Sequence, residues 1–427
     1  MKRVRLRFGV SFGALALALA SCESANDFQP VKAATAGTAG AAGLETAGGR
    51  GPSGAAGRVS IGRAGTAGSG ADADRADVAG AAGAAGEAGA AGAPHEGCDA
   101  ASVDELEVYL RSSWDPLGYP PYAFDGCTLV YVASGDEPGA LRVRNLATGE
   151  DALLDIAASK PRRPAVSGPV ITWEADGAAG SEVRVRAGGK TQTVSGAFVR
   201  AEEPRATDDA VVFTAFLGPG SNDDSDVYLF DVLSGQLSVV ADGAGQQRFA
   251  DVSATHVAFT DFAEDPKGYF NEAGSISDIA LVERATGTRS NRAAPGKQAF
   301  PLLGADGVVV YLEWAAVHPE PKLGQFWLKV GHLDRPVSED FNVKTTGQVS
   351  TNPAYVRPSL RGLNLDFIDQ GPDGAALYRA ALSTPGTLVS FEIAGALQLF
   401  GPVAGDRFTL LANQRSLASV SLLAVPR

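Results

Sequence analysis

The chain has 427 residues, a formal net charge of −13 and 45% hydrophobic residues. That length is enough for two or three ordinary domains or for one large repeat domain. The acidic balance argues against nucleic acid as a partner, because neutralising phosphates takes a surplus of Lys and Arg.

Residues 1–8 carry Lys2, Arg3, Arg5 and Arg7, and residues 9–20 form an apolar run too short to span a bilayer unaided. Leu19, Ala20, Ser21 and Cys22 follow. Small residues and then a cysteine, behind such a run, resemble the signal peptide of a bacterial lipoprotein. The resemblance implies cleavage before Cys22, acylation of Cys22 with palmitate-type chains, and a membrane-anchored mature protein. An ordinary secretory signal with a chance cysteine is the alternative, and either way the chain is exported. Cleavage removes four cations and takes the net charge from −13 to about −17. Glu23 follows Cys22. In Gram-negative lipoproteins, as the resemblance implies, Asp at that place retains the protein at the inner membrane. The expected address is therefore the outer membrane of a bacterial cell envelope, lipid-anchored, with either the periplasmic or the surface face open.

Residues 33–97 are dominated by Ala and Gly, with no Phe, Trp or Tyr and only Leu44, Val59, Ile61 and Val78 as larger aliphatics. Such a stretch buries too little apolar surface to offset the entropy of ordering it. Gly falls every third residue from Gly80 to Gly92, but Pro52 and Pro94 are the only prolines, and a collagen rod needs many more. The segment reads as a flexible, disordered tether, roughly 40–50 Å end to end as a coil. Residues 22–97 are thus expected to be lipidated Cys22 plus linker, after a signal peptide at 1–21.

With Cys22 assigned to lipid, Cys98 and Cys127 remain. An even pair in an exported chain points to a disulfide, with two free thiols as the alternative. The bridge would tie the N-terminal arm to the first part of the folded region.

From residue 98 to 427 the same grammar recurs. The fullest copy is residues 225–262, SDVYLFDVLSGQLSVVADGAGQQRFADVSATHVAFTDF. It holds apolar runs at 227–230, 237–240 and 257–262, with Ser234-Gly235 as a hairpin turn in which Gly can take positive φ. Strand-like runs align if Val130, Thr172, Phe213, Phe259, Val310, Asp366 and Thr409 are equivalent, at steps of about 41–56 residues. Three or four short strands per such period is what a β-propeller requires. Tandem β-sandwiches are the alternative, but they have no internal repeat of this length. Six units are complete, and the seventh, 407–426, shows two strands. Residues 105–125 could supply what it lacks, since closing a ring by pairing the two chain ends removes exposed edges. The expectation is an all-β propeller of seven blades, with six as the alternative.

The units DVYLFDVLSGQLSVV, DIALVERATGT and LRVRNLATGE resemble the repeats of TolB-like β-propellers. The resemblance covers roughly 125–427 and is close only in residues 213–262. It implies the fold. TolB itself carries an additional N-terminal α/β domain, for which this chain has the Gly/Ala tether instead.

Chemistry is harder to find. His95, His256, His318 and His332 are the only histidines, and none have the spacing of a metal site. There is no nucleophile elbow and no phosphate-binding loop with its lysine. No catalytic residue, metal or cofactor is nominated. Residues 221–226 group hard oxygen ligands, but without the spacing of a Ca²⁺ loop they read as a solvated turn. Tyr269 and Phe270 in a long polar loop, and Trp314 and Trp327 bounding another, are candidate binding loops or, alternatively, covers for a neighbouring blade. The expected role is a non-catalytic binding or scaffolding module for an envelope protein or glycan. The alternative is a propeller enzyme, a lyase or hydrolase acting on an envelope or extracellular polymer. Carboxylate, His or Arg side chains converging in the central channel would favour the enzyme.

Overall fold

A computed structural model describes the backbone of Arg3–Leu6, Cys98, and most of 103–427. It leaves out 109–118, 219–223, 266–275, 315–325, 345–348, 350–356, 394–397 and a few shorter turns. Cys22, the Ala/Gly-rich segment, and Tyr269 with Phe270 lie outside the described residues.

The folded region is seven antiparallel sheets in chain order. Blades 1 to 6 each have four consecutive strands, beginning with Tyr122–Asp125, Arg162–Ser167, Arg200–Ala206, Gln247–Val252, Lys297–Leu303 and Ser359–Arg361, and Arg3–Leu6 adds a fifth to the sheet of blade 6. Blade 7 has three, Gln398–Ala404, Phe408–Ser416 and Ser419–Pro426. The first strand of each blade touches the first strand of the next, and the first and last of these strands also meet. The first strands therefore form a closed inner wall around the axis.

The hydrophobic clusters explain why the ring closes. One joins Val130, Val132 and Leu141 of blade 1 to Ile171 and Trp173 of blade 2. Another joins Val183 and Val185 to Phe213, Tyr228 and Phe230. A third joins Ile368 and Leu377 to Leu399 and Leu411. Each of these cores lies between blades, so no blade has a complete core alone. A buried Val, Leu or Phe contributes about 1.5–3 kcal/mol, which is realised here only when the neighbour is in place.

Blade 7 joins blade 1 by three devices. Glu107 pairs antiparallel with Ser421 and Val108 with Ala133. The amide of Val108 donates to Val420 O at 3.1 Å, and that of Leu422 to Leu106 O at 2.9 Å. Residues 106–108 thus supply the edge that blade 7 lacks, and 122–125 become the inner strand of blade 1. Second, the Tyr122 hydroxyl donates to Gly401 O at 2.5 Å. Third, Cys98 and Cys127 form a disulfide with Cα atoms 5.3 Å apart. Val103, Tyr122, Leu129, Phe408 and Leu422 share the core beneath.

Two features of the sequence reading need correction. Residues 225–262 straddle two blades: Ser225–Asp231 and Leu237–Ala241 end blade 3, while Gln247–Val252 and His256–Asp261 begin blade 4. The equivalences also slip in three units. Opposite the inner strands stand Thr172, Val212, Ala258, Val310, Asp366 and Leu410, paired with Ala165, Arg205, Asp251, Leu302, Ser359 and Val403. Phe213, Phe259 and Thr409 are each one residue off, and one residue reverses the face. The Ser234-Gly235 turn is as expected. Gly235 has φ 70, its amide donates to Asp231 O at 2.9 Å, and Asp231 Oδ1 accepts from the Ser234 amide at 2.7 Å. The backbone of Arg3–Leu6, within the segment read as a signal peptide, runs parallel along Leu388–Ile393 of blade 6.

Reducing the Cys98–Cys127 bridge removes a loop constraint over a sequence separation of 29 and is expected to cost about 3–4 kcal/mol. Urea unfolding of wild-type protein and the Cys98→Ser/Cys127→Ser variant measures it. Two reactive thiols in the oxidised, folded protein would contradict the pairing.

Candidate functional site

The site grows from one irregularity repeated in the inner wall. The pairing of the first two strands shifts register in blades 2, 3, 4, 5 and 7. At each shift one residue takes positive φ: Arg163 (50°), Glu203 (62°), Phe249 (57°), Phe300 (57°) and Gly401 (42°). A left-handed non-Gly residue costs roughly 1–2 kcal/mol. Four blades carry that cost, and blade 7 uses Gly, where a Cβ would lie 2.7 Å from Pro120 Cβ. Arg357 occupies the same offset in blade 6, two residues before Ser359, which pairs with Asp366.

These residues reach the next blade. Arg163 Nη1 donates to Glu174 Oε2 at 2.8 Å and to Glu202 Oε2 at 3.3 Å. Arg162 also pairs with Glu174, and Arg200 with Glu202 at 2.7 Å. Glu203 is fully buried. It pairs with Arg248 and accepts from Thr214 Oγ1 at 2.9 Å and from the Phe249 amide at 3.1 Å. Burial raises the Glu203 carboxyl, but the charges of Arg248, Arg163 and Arg357 outweigh it and hold the group below the usual range. The Phe249 and Phe300 rings pack 4.4 Å apart.

Tyr119, just ahead of blade 1, is buried against this wall. Three guanidiniums surround its ring: Arg357 at 3.7 Å, Arg205 at 4.9 Å and Arg163 at 5.3 Å from the centroid. Arg357 also lies 3.9 Å from the Phe300 centroid. Beside them is a shallow recess with room for about one water, lined by Arg205, Arg357, Phe249, Phe300, Leu302 and Pro358.

Glu174, Glu202 and Glu203 are each engaged by arginine. His256 Nδ1 lies 2.9 Å from Thr255 Oγ1, and His332 pairs with Asp334; both sit at ends of strands outside the inner wall. Among the described residues no group of three or more His, Cys, Asp and Glu is placed to hold a metal. The convergence of Arg and Glu does match the pattern that favours an enzyme, although the charges there are mutually paired.

Of the residues proposed from sequence, Trp314 is buried, 5.8 Å from Phe326. It belongs to the core shared with Phe262 and Phe367, so it is a packing residue and not a rim contact. Trp327 is half-buried at the start of its strand. In the acidic loop, 221–223 lie outside the described residues. Burial, with Asp242 and Asp224 nearby, pushes Asp226 up to about 6. Sequence reading missed Arg163, Glu203, Phe249 and Arg357 because they fall in polar links between the Val-rich strands. The Arg or Phe two residues before such a pairing in blades 2, 4, 5 and 6 was the available signal.

No protein-family profile and no curated protein matches this sequence. Solved structures do. The β-propeller domain of the Trilobed protease from Pyrococcus furiosus is 10% identical, with a TM-score of 0.52, over 72% of this chain and 95% of that one. Acylaminoacyl peptidase from Pyrococcus horikoshii is 11% identical, TM-score 0.48, over 71% of this chain and 51% of that one. TolB from Acinetobacter baumannii is 13% identical, TM-score 0.38, over 60% of each chain. At these identities the likeness is one of fold, a seven-bladed all-β propeller.

Two substitutions test the electrostatics with opposite signs. Glu203→Gln strands Arg248 in the wall and should cost about 3–5 kcal/mol. Because the folded carboxyl titrates below its unfolded value, this contribution is complete above about pH 5 and is lost as pH falls through the folded value. Asp226 is raised instead, so its penalty appears as pH rises from about 4 to about 6 and persists above. Asp226→Asn should therefore stabilise by on the order of 1–2 kcal/mol at pH 7–8 and by little at pH 4. Urea midpoints of both variants across pH 3.5–8 check the two signs.

Proposed function

We propose that the chain is a lipid-anchored protein of the bacterial cell envelope whose propeller is a non-catalytic binding or scaffolding module for an envelope protein or glycan. The observation that carries the non-catalytic part is the pairing of the inner wall. A general acid or base needs a pKa near the working pH and a free geometry. Glu203 is instead held ionised by Arg248 and by two further hydrogen bonds. The recess is also small for a polymer substrate.

The export reading rests on the charged and apolar residues ahead of Cys22 and on the Cys98–Cys127 bridge, which belongs to an oxidising compartment. Lipid on Cys22 would anchor the propeller, and the Ala/Gly stretch would set its reach. A propeller enzyme is the competing reading, and the convergence of Arg163, Arg205, Arg357 and Glu203 on Tyr119 is what favours it.

Crosslinking in native envelopes, followed by identification of captured species, tests the binding role. A reproducible envelope protein or glycan, lost on deletion of the propeller, is the expected result. Cys22→Ala should move the protein from the membrane to the soluble fraction and abolish labelling by radioactive palmitate. Unchanged fractionation would remove the anchor from the proposal.

A further inference from the structure

The outer strand of a blade has a free edge of amides and carbonyls. Such an edge, when long, even and apolar, invites another strand to pair with it. Among the described residues six of the seven edges are blunted. In blades 1 and 3 the outer strands, Asp151–Asp155 and Leu237–Ala241, each hold an extra residue, Leu154 and Val240, where the register shifts. Blade 2 ends on Lys190–Val194, whose first four residues are polar and exposed. Blade 4 ends on Arg289–Arg292, with a guanidinium side chain at either end. Blade 5 ends on two residues, Phe341–Asn342. Residues 106–108 cover the edge of blade 7.

Blade 6 differs. Leu388–Ile393 pairs with Gly374–Ala381 without a register shift, from Ala380 opposite Leu388 to Ala376 opposite Glu392. All six residues are half-buried, and Glu392 is the one charge among them. Phe391 and Ile393 pack toward Leu399, Leu411 and Val425 of blade 7, and the Arg379 guanidinium lies 5.0 Å from the Phe391 ring centroid. The strand is thus fixed from within its own sheet and by its neighbour, and offers an even edge outward.

This is also the edge to which the chain adds a strand. The backbone of Arg3–Leu6 runs parallel along it, with Arg3, Val4, Arg5 and Leu6 opposite Ser390, Phe391, Glu392 and Ile393. The apolar positions of the added strand fall level with apolar positions of the edge, and Arg5 falls level with its one carboxylate. Both matches favour pairing. Removal of a leader before Cys22 would take Arg3–Leu6 away and leave Leu388–Ile393 open.

We propose that the outer edge of blade 6 is a strand-acceptor site for an extended segment of a partner protein, added parallel and alternating basic with apolar residues. Arg3–Leu6 holds the place that such a segment takes once the leader is gone. Main-chain hydrogen bonds supply the attachment, and the alternation supplies the selectivity. Such a site rests on the reading of the chain as an exported binding module, and gives that module a surface and a chemistry for its protein partner.

The test uses the full-length chain and a fluorescein-labelled peptide with the sequence of residues 2–9, followed by fluorescence anisotropy at constant ionic strength. Val4→Pro/Arg5→Pro removes two successive backbone donors from the chain's own segment, so that it pairs in neither phase and frees the edge. This variant should bind the peptide at least tenfold more tightly than the unaltered chain, where a tethered competitor holds the edge. A peptide N-methylated at the positions of Val4 and Arg5 keeps its charge but loses those donors, and should bind the variant at least tenfold more weakly. Glu392→Lys in the same background should weaken the plain peptide at least fivefold, and a peptide with Glu at the position of Arg5 should restore binding. Equal binding of plain and methylated peptides overturns the proposal, because charge alone then accounts for it. Equal binding to the variant and the unaltered chain, or no binding to the variant at millimolar peptide, does the same. So does dimerisation of the variant that the peptide does not reverse, which makes a second copy the occupant. If Glu392→Lys does not fold by circular dichroism, the methylation comparison decides alone. The titration needs neither lipid nor an envelope partner, so it can fail while fractionation and crosslinking succeed, and the reverse.

Discussion

A bulged inner strand turns a backbone amide out of its own sheet and toward the neighbouring blade. A buried amide must find an acceptor. The Phe249 amide finds Glu203 Oε2 at 3.1 Å, and the Phe300 amide finds Thr260 Oγ1 at 3.1 Å, each on the preceding blade. The left-handed residues that make these bulges are themselves unfavourable in isolation. They persist because the neighbour's side chains satisfy them. Each blade thus completes the one beside it in polar terms, as the shared clusters complete it in apolar terms.

Interdependence of this kind makes the junction between the last blade and the first the place where the ring is most exposed to opening. Three unrelated bonds meet there. Strand addition by 106–108 covers an edge, the Tyr122 hydroxyl ties the two inner strands, and the disulfide fastens the entering chain. Gly401 allows the close approach of Pro120 that the junction requires. The N-terminal arm therefore arrives at the propeller as a structural part of it.

The inner wall also concentrates charge. Arg163, Arg200 and Arg248 are each paired with a glutamate there. Arg205 and Arg357 meet at the Tyr119 ring, where the charge of Arg357 also bears on the Glu203 carboxyl.

Much of the architecture was legible in the chain. The Val-rich second strands, such as 210–216 and 308–314, are buried on both faces and read as continuous apolar runs. The Asp231-to-Gly235 turn follows from side-chain and glycine geometry that is local. The count of seven and the pairing of Cys98 with Cys127 followed from period and parity. The inner strands were not legible. RRPAVS and RAEEPRA carry neither alternation nor an apolar run, because their outward contacts are with the channel and with the neighbouring blade. For the same reason the register of Phe213 and Phe259 slipped by one, since a run buried on both faces does not mark which face is which. Trp314 looked like a loop aromatic for want of the Phe326 and Phe262 that surround it. The sequence by itself determined that the blades repeat and must close, since local patterns encode strands and turns. Only the tertiary structure decided which charges meet, because Arg163, the pair Glu203 and Arg205, and Arg357 come from three blades and meet only once the ring has formed.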